Sequence, residues 1–511
     1  MSAKTLQPRR AVAAAVLLLA GWGSGAAWAE AAEPSTALST SPAQASALDS
    51  AWWQRLTNDP LGVYPAWDRQ SLRSLDCSDA NAVQPIVAGA SLALAQVLRL
   101  ALCRNPQMTA AMAQVKAQAA ALGSAGAAYW PTLSAAIGQN TDQINYPDAD
   151  YLNTGPVDVS TTSVSLNWRL LDFGGRAAGQ RAAQAELDAA VASLEATALK
   201  TQSDVTSAYF DAQSAKASLA AQKDLQDLAQ QTLQTLGRMQ ARGAAAQGQT
   251  MQAAAELAKI RLSMSRAKAA LAKSLTELAT QMALAQEAAP VLQDANLDAA
   301  LALTPDLVQQ MQVPLAQLYA QAQEQHPDIV AARGQLLAAQ ERLRASASEG
   351  RPTLDLAVNY YENGRPNQSL SSNKTQETLA GLTINIPLFD GFASTYKVRR
   401  AEADLQRAQA ILVDAQQRVY SGVDKAQSQA RNAWESTQFA TEWEKAATEL
   451  AATTQRKLEQ GAADLSEYLR TRLSVVEAQQ ERWRSMAEWQ SAAQQLLSST
   501  AAVKGVVYRK P

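Results

Sequence analysis

Four short motifs occur twice in this chain, in the same order and at nearly constant spacing. Asn105-Pro106 in LALCRNPQM and His326-Pro327 in AQEQHPDIV lie 221 residues apart. YWPTLSAAI at 129–137 and GRPTLDLAV at 350–358 keep that offset of 221. VSLNWRLLDFG at 164–174 and LTINIPLFDG at 382–391 are 218 apart, with Asn167 over Asn385 and Asp172 over Asp390. ARGAAAQGQ at 241–249 and EQGAADLSE at 459–467 are again 218 apart. A length of 511 residues alone suggests about three domains. The repeat implies instead one fold duplicated, each copy too long for a solenoid unit.

Both copies read alike. A helix precedes the proline that leads the strands, carrying Met108, Met112, Val115, Ala119 and Leu122 at 4, 3, 4, 3 spacing in the first copy. Two alternating runs come next, at about 132–140 and 160–168. There Val164, Leu166 and Trp168 point one way and Ser163, Ser165 and Asn167 the other, which is strand periodicity. The second copy places its strands at about 353–361 and 379–388. Proline-free helices then run from about 175 to 242 and from 392 to 460. Val398, Ala401, Leu405, Ala408, Leu412, Ala415 and Val419 keep a heptad. At 1.5 Å per residue each helix spans on the order of 100 Å. Gly-containing turns lead to return helices at 249–287 and 465–503. The repeats therefore cover 89–287 and 314–503, separated by a Pro-interrupted insert at 288–313 of unassigned structure and followed by a tail at 504–511.

The N-terminus carries Lys4, Arg9 and Arg10, the apolar run 11–20 and a small-x-small site at Ala27-Trp28-Ala29. This is the layout of a signal peptide over 1–29. The alternative, an uncleaved anchor, needs about 20 apolar residues. Residues 30–88 read as an irregular extension of the exported chain. Export makes Cys77 and Cys103, the only cysteines, candidates for a disulfide closing about 27 residues, against the alternative of two buried thiols. One His and two Cys rule out most zinc sites and leave little for His-based catalysis, and a near balance of 45 basic and 47 acidic residues argues against a nucleic-acid footprint. The composition predicts no enzyme, no cofactor and no metal.

Strands of about nine residues suit a tilted membrane wall with one lipid face and one wet face. Four strands have open edges, which cannot face lipid, so one chain cannot close a barrel. Two chains would give 8 strands and three would give 12, and the physics allows both. Tyr129, Trp130, Trp168 and Phe389 flank the strands as an interface belt would. A soluble sandwich capping the helices is the alternative. Small Ala side chains let helix axes approach in a thin wall around a lumen, or in a solid coiled coil.

At these residues the chain resembles the TolC-like outer-membrane efflux family over roughly 90–503. The duplicated layout, the Asn-Pro entry, PTLSA and PTLDL, and INIPLFDG and LNWRLLDFGG carry the likeness. ALCRNP and LNWRLLDFGG further resemble its type I secretion branch. The resemblance implies a mainly α fold with a small membrane barrel. It implies a homotrimer, with a 12-stranded barrel in outer-membrane lipid above an α-helical periplasmic tunnel. It also implies a periplasmic adaptor and an inner-membrane ABC or proton-driven transporter as partners. The gate positions carried over are Gln249 and Gln252 in one copy and Glu467 and Arg470 in the other. The family's best-known member has aspartates at the latter pair, so here an i,i+3 ion pair, bridges between helices or a plain solvated face are the options. The tips at Gly243 and Gly461 resemble adaptor-docking turns, although helix termination explains both glycines equally well. His326 reads as a turn residue. A small-molecule, drug or metal efflux outlet and a periplasmic coiled-coil adaptor are the competing functions.

Overall fold

The computed structural model describes residues 59–61, 91–143, 147–148, 155–284, 290–293, 305–363 and 375–500. Contacts divide the chain into Met1–Pro60, of which only Asp59 and Pro60 are described, and Leu61–Pro511, to which every element below belongs. The expected signal peptide, the tail at 504–511 and all of 30–88 except 59–61 lie outside the described residues.

The duplication is visible as matched helix lengths. Helices α1 (Leu94–Arg104) and α6 (Leu315–Gln325) have 11 residues each. Helices α2 (Pro106–Ala127) and α7 (Pro327–Ser348) have 22. The long helices α3 (Gly175–Ala241) and α8 (Ala393–Glu459) have 67, and the return helices α4 (Gln247–Gln281) and α9 (Leu465–Ser499) have 35. The α1–α2 break follows from chemistry. Pro106 lacks the N–H that a continuous helix needs but suits the first helical position. Asn105 Oδ1 then accepts the free Gln107 N–H at 2.8 Å. Pro327 and His326 repeat this, with His326 Nδ1 accepting from Asp328 N at 3.2 Å.

The strands form one antiparallel sheet, ordered β2 (Thr132–Asp142), β3 (Val157–Leu171), β5 (Thr353–Glu362), β6 (Gln376–Asn385). All four reach beyond the expected runs at one end or both. The fourth ends at Asn385 rather than 388, where Pro387 removes a ladder donor. The insert contributes β4 (Val291–Leu292), which pairs in parallel with β1 (Ser91–Leu92), and helix α5 (Pro305–Gln312). Both of its parts are held against the long helices through backbone carbonyls. Gln213 of α3 donates to Gln293 O at 2.6 Å, and Gln427 and Arg431 of α8 donate to Met311 O at 3.1 and 2.8 Å.

Below the sheet the helices lie side by side in the order α2, α3, α7, α8; farther on the order is α4, α3, α9, α8. The heptad residues Ala401, Ala408, Ala415 and Val419 are buried, while Leu405 and Leu412 are half-buried at the seam edge. The largest buried side chain among the described residues is Trp489 of α9, tilted against Trp434 with ring centroids 5.1 Å apart. It anchors a cluster with Met486, Val423, Leu318 and Ile329 at the level of the insert.

Candidate functional site

The sheet has two chemically distinct faces. In register, Leu133 faces Leu166, Leu166 faces Val358, and Val358 faces Ala380. Val164 opposes Tyr360, and Leu356 opposes Leu382. The other face pairs Ser134 with Ser165, Ser165 with Asn359, and Asp355 with Thr383. Side chains alternate faces along every strand, so the register puts the apolar set on one side. On that side Ile137 is 80% and Ile384 66% exposed. Among the described residues, strands β2 and β6 are paired on one side only, leaving two open edges.

The aromatic belt residues divide into two kinds. Phe389 and Phe392 are bare, 76% and 61% exposed, and meet edge to face at 5.3 Å. Tyr129 and Trp168 belong to a tied junction, whereas Trp130 beside them is 48% exposed. Trp168 Nε1 donates to Tyr129 O at 3.0 Å. The Arg176 guanidinium lies 4.8 Å over the Tyr129 ring and donates to Ala128 O, Arg169 O and Leu170 O. It also pairs with Asp172 at 3.2 Å, with only 13% of its side chain exposed. Arg169, which occupies the position of Pro387, pairs with Asp355 of β5 at 2.9 Å, beside an irregularity in the β3 register. Sequence reasoning assigned neither arginine a role, noting at 169 only the departure from Pro387. The i,i+4 spacing of Asp172 and Arg176 signals one pair, whereas Asp355 lies 186 residues from Arg169 and has no local signal.

At the opposite ends of the long helices the two tips are near copies. Gly243 and Gly461 both have φ of +73°, a left-handed conformation that glycine adopts without strain. Ala244 N donates to Met239 O and Ala462 N to Lys457 O, each at 2.8 Å. These are Schellman turns, which account for both glycines as helix ends. The carried-over gate residues Gln249, Gln252, Glu467 and Arg470 are all exposed in the first turns of α4 and α9. Gln249 is already engaged, its Oε1 accepting from Ala246 N at 3.2 Å. Glu467 N is held by Asp464 Oδ1 at 2.6 Å. Among the described residues no ion pair joins Glu467 to Arg470: both heads point into solvent, where an exposed pair gains little.

Cys103 is disulfide-bonded, and Cys77 lies outside the described residues. Among the described residues no group of His, Cys, Asp and Glu could hold a metal ion, and no helix is long and apolar enough to cross a membrane. Farther along α3 and α4, Asp204, Asp211, Lys273 and Glu277 line a groove of about 620 Å³. Burial pushes the Asp211 carboxyl above its ordinary range against a Ser207 hydrogen bond, and Glu277 and Glu488 add to the rise.

The family described as outer membrane efflux protein matches residues 97–283 and 318–502. Protein CyaE of Bordetella pertussis is 30% identical over 408 residues, covering 80% of this chain and 84% of that protein. Two solved structures share the fold. The Campylobacter jejuni CmeC outer membrane channel has a TM-score of 0.64 at 16% identity, over 80% of this chain and 85% of that one. The Vibrio cholerae outer membrane protein VceC has 0.64 at 18%, over 80% and 95%. The two matched stretches coincide with the two repeats, and the chain belongs to the outer membrane efflux protein family, as a channel component of the outer membrane.

Proposed function

We propose that three copies of this chain close a 12-stranded barrel in the outer membrane above an α-helical tunnel. The duct passes cargo without catalysis of its own. One observation carries the assembly of several copies: among the described residues, a four-stranded sheet with an exposed apolar face ends in two unpaired edges, and the number three follows from the family likeness. Unpaired backbone groups cannot face lipid, so each edge needs a strand from another copy.

The duct serves a tripartite system with a periplasmic adaptor and an inner-membrane transporter. Type I protein secretion through an ABC exporter is favoured by the likeness of ALCRNP and LNWRLLDFGG to that branch and by the similarity to CyaE. Tyr129, Trp130, Trp168 and Phe389 sit at the bilayer interface. Gly243 and Gly461 mark the tips that dock the adaptor. Gln249, Gln252, Glu467 and Arg470 form the periplasmic gate. Cys77 bonds Cys103, tying the extension to α1.

Deleting the gene and comparing secreted proteins with drug and metal sensitivity tests the cargo. Loss of one secreted protein with unchanged sensitivity is expected. The reverse result establishes a small-molecule outlet instead. For the gate, Glu467→Ala/Arg470→Ala should raise single-channel conductance, and unchanged conductance removes these residues from it.

A further inference from the structure

Two grooves open on the same face of the helical wall and carry opposite charge. The first is the acidic groove between α3 and α4. Its Asp204 stands nine residues before Gln213, two and a half turns of helix, so it opens away from the face that holds the insert. The second groove, of about 620 Å³, lies between α7 and α8, where Arg342, Lys397, Arg400 and Arg407 stand beside Glu349 and Asp404. Arg400 and Asp404 come 27 residues before Gln427 and Arg431, seven and a half turns, so this groove too opens opposite the insert. Arg342 agrees, because its partner Glu186 lies 27 residues before Gln213. The basic groove is the one nearer the sheet. Arg400 is seven residues past Ala393, where α8 starts, and Asp204 is 29 past Gly175, where α3 starts, a difference of roughly 33 Å along the wall.

The basic groove holds more cations than its carboxylates match. Lys397 pairs with Glu349 at 2.6 Å, Arg407 with Asp404 at 3.1 Å, and Arg342 with Glu186 of α3. Arg400 is left over: it is exposed and among the described residues has no ion-pair partner. The paired cations keep 60–72% of their side chains in water. Such exposed pairs are weak, so an incoming anion can take over the cation. The fold does not require this charge. In the first repeat the positions of Arg342, Lys397, Arg400 and Arg407 are Ala121, Gly179, Ala182 and Ala189.

We propose that this groove is an anion-binding site on the inner wall of the tunnel, which takes an acidic stretch of a polypeptide in transit. It rests on the duct proposed above and adds to it a chemical class of cargo segment and the side chains that hold it. The groove faces the lumen because the insert and α1 form an added layer, for which only the outside of a cylinder has room. Guanidinium groups donate paired hydrogen bonds to carboxylates, and three of them in one groove suit a row of Asp or Glu side chains. The acidic groove farther from the sheet repels the same stretch, so the segment is held only at the level next to the barrel.

Full-length channels in a planar bilayer test this, with a ten-residue glutamate peptide added on the barrel side at on the order of 50 mM salt, where screening is weak. The peptide should block the wild-type current reversibly. Arg400→Gln/Arg407→Gln should need at least a tenfold higher concentration for half block. Arg400→Lys/Arg407→Lys, which keeps the charge, should retain most of the block, and Asp204→Asn/Asp211→Asn should leave it unchanged. Wild-type channels that conduct without block overturn the site and leave the duct standing. So does equal block of the wild type and the Gln variant, or loss of block in the Asn variant alone. Wild-type protein that forms no conducting channel overturns the duct as well.

Discussion

The two repeats have the same backbone and different chemistry. Helices of 11, 22, 67 and 35 residues recur, and both tip glycines take φ of +73°. The side chains at matching points have diverged. In the first repeat Arg176 closes the sheet–helix junction through carbonyls of Ala128, Arg169 and Leu170. In the second, Ser394 stands at that position, and Lys397 pairs with Glu349 at 2.6 Å across the same gap. Helix entry is capped by an amide in one copy and an imidazole in the other. Length and hydrogen-bonding geometry have been retained, while any group of the right reach could serve in each place.

The largest expected break in the comparison is at Gly334, where the backbone of α3 leaves no room. Ala185 O and Ala189 Cα would lie 3.0 and 3.2 Å from an added Cβ. Gly334→Leu should cost about 3 kcal/mol, the upper end for overpacking, read from the urea midpoint of the solubilised protein. A midpoint unchanged from wild type would mean that the α3–α7 seam is looser than its atoms indicate.

Glu341 comes next. Its carboxylate is 4% exposed and holds both Arg181 and Arg344, whose side chains are 55% and 66% exposed. Glu341→Gln leaves those cations able to hydrate, so the loss should be about 1–2 kcal/mol rather than that of a fully buried pair. The corresponding Ala120→Ser in the first repeat should change stability by less than about 0.5 kcal/mol.

The smallest effect separates the two caps by pH. His326 accepts a hydrogen bond at Nδ1, which requires the neutral ring, and burial holds its pKa below the ordinary value against the pull of Asp328. Above about pH 6.5 the ring is neutral in both states and the cap is intact. As pH falls below that value the unfolded chain binds the proton first, so stability declines until the folded pKa is passed. His326→Asn should keep the cap and flatten this part of the pH–stability curve. Asn105→Ala should cost about 1 kcal/mol at every pH. A curve that keeps its slope in His326→Asn assigns the pH dependence to another group.

Much of the architecture was legible in advance because it rests on local physics. Proline at a helix entry, Gly at a tip and alternation along a strand act within a few residues. The duplication supplied the longer frame by comparing the chain with itself. The candidate sites were less legible. Tyr129 and Trp168 were named for their aromatic character, but the hydrogen bond that joins them spans 39 residues. Glu467 and Arg470 have the spacing of a pair and do not form one, since spacing permits contact without making it favourable in water.

By itself, the sequence determined the periodicities, the breaks and the two-fold repeat, since these depend on residues near one another along the chain. Only the tertiary structure decided which faces those helices bury, that β3 rather than β2 meets β5, and that Arg169 finds Asp355. Those choices depend on pairings between elements many residues apart, where an Ala face against an Ala face looks the same from either helix. Packing chose one partner for α3 and left its counterpart on α8 bare.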